Sequence, residues 1–141
     1  MAYDFWKSSE RHFTTAEYLD QGVSLGDAAH MYGLAAECAV KSVLLGTGEL
    51  TLLPNGEFPE GKFKKHIERL LPILPQVMSG RLWPSYYAII QADIGSFSSW
   101  NIDDRYKNET SIALGDYPRW KQAAVRANSM LALAASHGCA S

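Results

Sequence analysis

The sequence predicts an all-α protein, an up-and-down helical bundle of about five helices with two long loops. Three observations carry that expectation. Residues Ala28 to Leu45 keep small and apolar side chains at three- and four-residue spacing with no proline inside the run. Two later apolar stretches open at Trp83-Pro84 and Asp116-Tyr117-Pro118, with proline where a first helical turn tolerates it. Sustained alternation of apolar and polar residues is lacking, and only Leu50 to Leu53 offers a brief strand-like run. At 141 residues the chain has the length of one domain, spanning 1–141, with one continuous core.

The first helix is expected from about Asp4 to Gln21, with Asp4 as cap, Gly22 as terminator, and Phe5, Trp6, Phe13, Ala16 and Leu19 as a broken apolar stripe. The second, and central, helix is expected to start from Asp27 as cap and to stop at Gly46. Its face of Ala28, Met31, Ala35, Cys38, Ala39, Ser42 and Leu45 is small enough to admit a close neighbour, either in the core or across a dimer. Gly46 to Lys62 is an irregular connection punctuated by Pro54-Asn55-Gly56 and Pro59. A short helix over Lys62 to Leu71 follows, stopped by Pro72 and Pro75, and another runs from Trp83 to about Ile94. Ser96 to Asp116 has no period but holds Phe97, Trp100, Ile102 and Tyr106, so it is read as an ordered loop. The last helix starts near Asp116 and carries Trp120, Ala123, Ala124, Ala127, Met130, Leu131 and Ala134 toward Gly138.

Composition narrows the function classes. A net charge of -2 argues against a general nucleic-acid coat while leaving room for a local basic patch. The N-terminal residues have no apolar signal region, and no apolar run approaches the roughly 20 residues of a membrane span, so a cytoplasmic protein is expected. Two cysteines without a CxxC make no disulfide framework; Cys38 is expected buried and Cys139 frayed. The four histidines, His12, His30, His66 and His137, lack paired spacing, so no metal site and no cofactor are expected. Nor does any signature mark a catalytic nucleophile.

Three stretches could carry chemistry. Gly56 to Lys62 fits GxxxxGK by spacing. Phe63 stands where a P-loop needs Ser or Thr, and Pro59 removes an amide donor, so this reads as a turn. Lys62, Lys64, Lys65 and Arg69, with His66, form a basic cluster that is either a solvated helix face or a phosphate-binding rim. Trp100 to Tyr106 offers the fork of Arg105 for phosphate and Tyr106 for stacking on a base. Alternatively, Trp100 and Ile102 anchor that loop while Arg105 pairs with Asp103, Asp104 or Glu37. Glu37 and Lys41 stand i,i+4: if exposed they support the helix, and if buried Glu37 needs a cation, for which Arg105 is a candidate.

Three of these segments together resemble the HEPN family of small helical domains, found with prokaryotic nucleotidyltransferases and RNA-directed defence systems. Leu34 to Leu45, LAAECAVKSVLL, is similar to the family's second helix. Lys64 to Leu74, KKHIERLLPIL, resembles the element in which a His leads into spaced leucines. Asp103 to Asn108, DDRYKN, resembles the Arg-Tyr motif before the last helix in the sacsin-like, nucleotide-binding branch. The resemblance implies a helical bundle, a homodimer, and a cleft between protomers near the loop before the last helix. Catalytic members carry Arg and His separated by four to six residues and cleave RNA through its 2′-hydroxyl. Here none of Arg11, Arg69, Arg81, Arg105, Arg119 and Arg126 has such a His; the nearest downstream pairing is Arg126 to His137. The expectation is therefore a non-catalytic binding module with no catalytic residue. Arg105, Tyr106, His66, Lys62, Lys65 and Arg69 would take a nucleotide or RNA phosphate, with a nucleotidyltransferase as partner. The alternatives are a divergent ribonuclease of a toxin-antitoxin pair, using Arg105 and His66, and a structural adaptor.

Overall fold

The computed structural model describes residues 3–77 and 83–141; Arg81 lies outside them. Its elements are all helical: α1 (Phe5–Leu19), α2 (Leu25–Thr47), α3 (Ile67–Leu70), α4 (Trp83–Ile90) and α5 (Tyr117–Ser136). Shorter 3-10 turns cover Leu71–Gln76, Gln91–Asp93, Ile102–Tyr106 and Glu109–Ser111. Among the described residues there is no strand, and no helix is long and apolar enough to cross a membrane. At Leu50 to Leu53 the strand-like run closes on itself instead. The Leu53 N–H donates to the Glu57 carbonyl at 2.9 Å and the Gly56 N–H to the Leu53 carbonyl at 2.8 Å, a turn around Pro54 and Asn55.

The core is built around α2, which packs against both α1 and α5. Residues 35–44 of α2 are all buried, because Ala35, Ala36, Cys38 and Ala39 let neighbours approach from several sides. The helix starts earlier than Asp27. Ser24 is its cap, accepting from the Asp27 N–H at 3.2 Å, and Asp27 instead places a carboxylate in the first turn. It also runs past Gly46 to end at Gly48, whose φ of 84° suits only glycine well. Gly46 stays glycine for another reason: a Cβ there would collide with the backbone of Cys139. The C-terminal residues are thus docked rather than frayed, with the Ser141 N–H donating to the Ser42 hydroxyl at 3.0 Å and Cys139 half-buried.

Asp4 caps α1 by accepting from the Lys7 N–H at 2.9 Å, and Phe5, Ser9 and Ala16 turn one face toward α2. The Ser9 hydroxyl donates across that interface to the Ala35 carbonyl at 2.9 Å. α5 buries all seven residues anticipated for it, Trp120 through Ala134. A buried Asp93 accepts from Arg126 at 2.6 Å and ties the end of the α4 region to α5. Cys38 is buried, which pushes its thiol up to about 12, as an inert core cysteine.

The basic cluster does not lie on a helix face. Gly61, at φ 127°, and the inward-facing Phe63 bend the chain, so α3 begins only after His66. Lys62, Lys64 and Lys65 occupy the turns ahead of it, and Arg69 alone stands on α3. Beyond Leu70 the chain tightens into a 3-10 turn that accommodates Pro72 and Pro75 and buries Leu71 and Leu74.

Candidate functional site

α2 carries an unusual stripe. His30, Glu37 and Lys41 follow one another at intervals of seven and four residues, which places them along one side of the helix. The lower part of that stripe is buried. Glu37 and Lys41 are 8% and 7% exposed and form an ion pair at 3.0 Å. The second carboxylate oxygen of Glu37 meets His66 Nδ1 at 3.0 Å. Lys41 Nζ also lies over the rings of Phe58 and Phe5, at 4.9 and 5.9 Å from their centroids. Cation–π attraction thus replaces part of the hydration that the ammonium gives up.

This arrangement corrects the expected pairing of Glu37 with Arg105. Burial does give Glu37 cationic partners, but they are Lys41 one turn away and His66 from the first loop. The i,i+4 geometry and the Phe58 anchor bring both within reach. Arg105 pairs with neither Asp103 nor Asp104 either. Asp104 takes Lys107 at 2.8 Å, while Arg105 lies over the Tyr106 ring at 4.6 Å. Both Arg105 and Tyr106 are exposed, the latter 74%. Among the described residues Arg105 has no carboxylate partner.

The second loop delivers Arg105 by fastening itself to the first half of α2. Trp100, 3% exposed, donates its indole N–H to the Ala29 carbonyl at 2.9 Å and stacks on His30 with ring centroids 6.1 Å apart. Gly33 makes room for that indole; any Cβ there would collide with it. Nine residues on, Glu109 accepts from the Gly26 N–H at 2.9 Å and from the Ser24 hydroxyl at 3.2 Å, meeting the free donors and positive end of the α2 N-terminus. Between these two fixings, Asn101 caps the 3-10 turn of Ile102–Tyr106 by accepting from the Asp103 N–H at 2.9 Å. The aromatic-anchor reading of this loop therefore holds for Trp100.

Burial, and after it the Arg105 guanidinium, holds the His30 pKa below the ordinary value; Asp27 opposes them, and His12 and His66 add smaller downward pushes. The α1 imidazole of His12 is likewise lowered by burial and by Arg11, against Glu37. Of the residues singled out from the sequence, then, Arg105 and His66 both lie in the electrostatic neighbourhood of His30. Lys62 instead sits over Phe63, at 4.9 Å from the ring centroid. Lys65 is half-buried and Arg69 exposed, and among the described residues no ion pair joins either of them to this group.

His30 and His12 escaped the reading of the sequence because they come from different helices and share no spacing. The one available signal was the stripe of His30, Glu37 and Lys41 on α2. Among the described residues no three His, Cys, Asp or Glu side chains are placed to hold a metal ion. The GxxxxGK stretch forms turns, with Gly56 at φ 84° and Lys64 paired to Glu60, and makes no phosphate loop between strand and helix. Elsewhere a cavity of about 370 Å³ lies between Asp93, Ser96, Arg119 and Arg126, and one of about 410 Å³ lies beside Tyr3, Asn55, Glu57 and Phe58. Comparison of the chain with protein-family models, with curated proteins and with solved structures finds no match.

Proposed function

We propose that this chain is a non-catalytic, HEPN-type binding module whose ligand is a nucleotide or the phosphate of a nucleic acid. The observation that carries the reading is Arg105. It is an exposed guanidinium with no carboxylate partner among the described residues, held by a loop that Trp100 and Glu109 pin to α2. Such a fork suits phosphate oxygens, and the adjoining exposed Tyr106 offers a ring for a base. His66, positioned through Nδ1 by Glu37, is a further exposed donor on the first loop. Lys62, Lys65 and Arg69 add positive charge ahead of and on α3 that draws anions without fixing their orientation. In this proposal the chain works as a homodimer with the Arg105 loops lining the cleft, next to a nucleotidyltransferase partner.

A thermal-shift series against nucleotides and short RNAs tests it. Stabilisation by a nucleotide that disappears in Arg105→Ala is the expected result; the same shift in both proteins would remove Arg105 from the site. If no ligand shifts the wild type while a neighbouring gene product binds tightly, the chain is an adaptor.

One observation favours a second reading, a divergent ribonuclease. Glu37 orients the His66 ring through Nδ1 and leaves Nε2 without a hydrogen-bond partner among the described residues, as a general acid or base requires. Growth arrest on expression, abolished by His66→Ala, together with RNA cleavage by the purified protein, would establish it. Intact RNA would exclude it.

A further inference from the structure

A cavity of about 370 Å³ lies between the 3-10 turn that ends α4 and the first half of α5, within the size range of small-molecule sites. Arg119, Gln122 and Arg126 follow one another at three- and four-residue spacing, so one face of α5 supplies one wall. The remaining polar lining is Asp93 and Ser96, 3% and 5% exposed, held together by the Ser96 N–H donating to the Asp93 carbonyl at 2.9 Å. None of these residues belongs to the Ile102–Tyr106 turn that carries Arg105.

Hydrogen bonding and charge are only partly satisfied in this lining. Arg126 donates to Asp93 Oδ1 at 2.6 Å, so these two charges cancel. Arg119 is exposed and, among the described residues, has no carboxylate partner. Together the three charged side chains leave one net positive charge. Asp93 Oδ2 is buried with no hydrogen-bond partner, while the Ser96 hydroxyl reaches only Oδ1, at 3.5 Å. A buried carboxylate oxygen without a donor costs free energy, and such an orphan marks a place where a donor is missing.

We propose that this cavity is a binding site for a small carboxylate monoanion that also carries a hydroxyl group. The planar fork of Arg119 takes the carboxylate, bordered by the Gln122 amide and by the N–H groups of Arg126 that Asp93 does not use. The hydroxyl donates to Asp93 Oδ2. The χ2 torsion of an aspartate is soft, so Oδ2 can turn to that hydroxyl while Oδ1 keeps Arg126. One negative charge on the ligand matches the one positive charge left uncancelled. A second would stand against the Asp93 carboxylate with no cation of its own, and an ammonium in place of the hydroxyl would face two guanidiniums. Selectivity at this site thus comes from the charge count and from the donor.

The test is a two-dimensional NMR titration of the intact protein with lactate, propionate and malate in turn, following the backbone amides and the side-chain signals of Arg119 and Gln122. Lactate is expected to perturb Asp93, Ser96, Arg119 and Gln122. Propionate, which lacks the hydroxyl, is expected to bind about tenfold more weakly, the usual effect of one hydrogen bond to a charged group. Malate, a dianion, is expected to bind more weakly than lactate as well. Arg119→Gln, at an exposed position, should remove lactate binding with the amide spectrum otherwise preserved, whereas Arg105→Ala should leave lactate binding unchanged. Asp93→Asn leaves the Arg126 charge uncancelled and should reverse the order of lactate and malate; if that variant fails to fold, the Arg119→Gln result decides. Propionate binding as tightly as lactate, lactate binding that survives Arg119→Gln, or no perturbation of these signals at millimolar ligand would overturn the proposal.

Discussion

Residues 48–66 and 96–116 are both irregular and both lie along α2, yet they are fastened by opposite means. The first segment brings charge into the interior: His66 meets the buried Glu37, and Phe58 covers Lys41. The second brings in a neutral indole, and its Glu109 carboxylate takes the Gly26 N–H and the Ser24 hydroxyl at the start of α2. The first loop has used His66 on its own anchorage. The second loop, held by an aromatic ring and a capping carboxylate, leaves its Arg105 guanidinium exposed and, among the described residues, without a carboxylate partner. The same helix thus offers a charged, filled seat on its second half and a rigid mount for an unpaired Arg105 on its first.

This contrast can be broken at either fastening. The largest effect is expected from Trp100→Ala, which empties a buried aromatic site and should cost about 3–5 kcal/mol in denaturant unfolding. Gly33→Val should release the loop in the same way, because its side chain would occupy the space of the indole. Glu37→Ala should cost about 3 kcal/mol by leaving the Lys41 ammonium buried without its carboxylate. If the pair mainly specifies the seat, Glu37→Met combined with Lys41→Leu should recover most of that loss. Glu109→Ala should cost about 1 kcal/mol, the usual value of a helix cap, and should loosen hydrogen exchange at Gly26 before the rest of α2. Arg105→Ala should change stability by no more than about 0.5 kcal/mol while removing anion binding, the separation expected of a group that holds nothing internal in place.

Acid sharpens the comparison further. His30 and His12 both have folded-state pKa values below the ordinary 6.5, so the neutral ring is the form that the fold prefers. Their contribution is fully present above about pH 6.5 and is lost as the pH falls through the depressed folded values. Tm is expected to decline as the pH is lowered from 7 toward 5. A Tm indifferent to pH across that window would mean that neither ring is held neutral.

Helical periodicity and proline placement were enough to read the bundle, the central place of α2 and the buried face of α5, because each is a local pattern along one element. Boundaries read less well: Asp27 and Gly46 look like cap and stop, but Ser24 and Gly48 have the side chain and the φ that the two ends use. Lys62 to Lys65 turns rather than coils because Gly61 takes a positive φ and Phe63 is drawn into the core, a tertiary contact that no local pattern shows. Arg105, Tyr106 and His66 stood out as residue types in informative loops. The stacking of Trp100 on His30, admitted by Gly33, arises only from the packing of the second loop on α2. A buried Glu37 demands a cation, for which the sequence offered Arg105; the structure supplies Lys41, sheltered by Phe58, and His66 instead.

The most direct test of the proposed seat is a map of backbone, indole and imidazole NMR signals of the intact protein as adenosine 5′-monophosphate is added. Perturbations centred on the Trp100 indole N–H, Arg105, Tyr106 and the rings of His30 and His66 are the expected result. Perturbations centred on the cavity of Asp93, Arg119 and Arg126, or none at millimolar ligand, would contradict it.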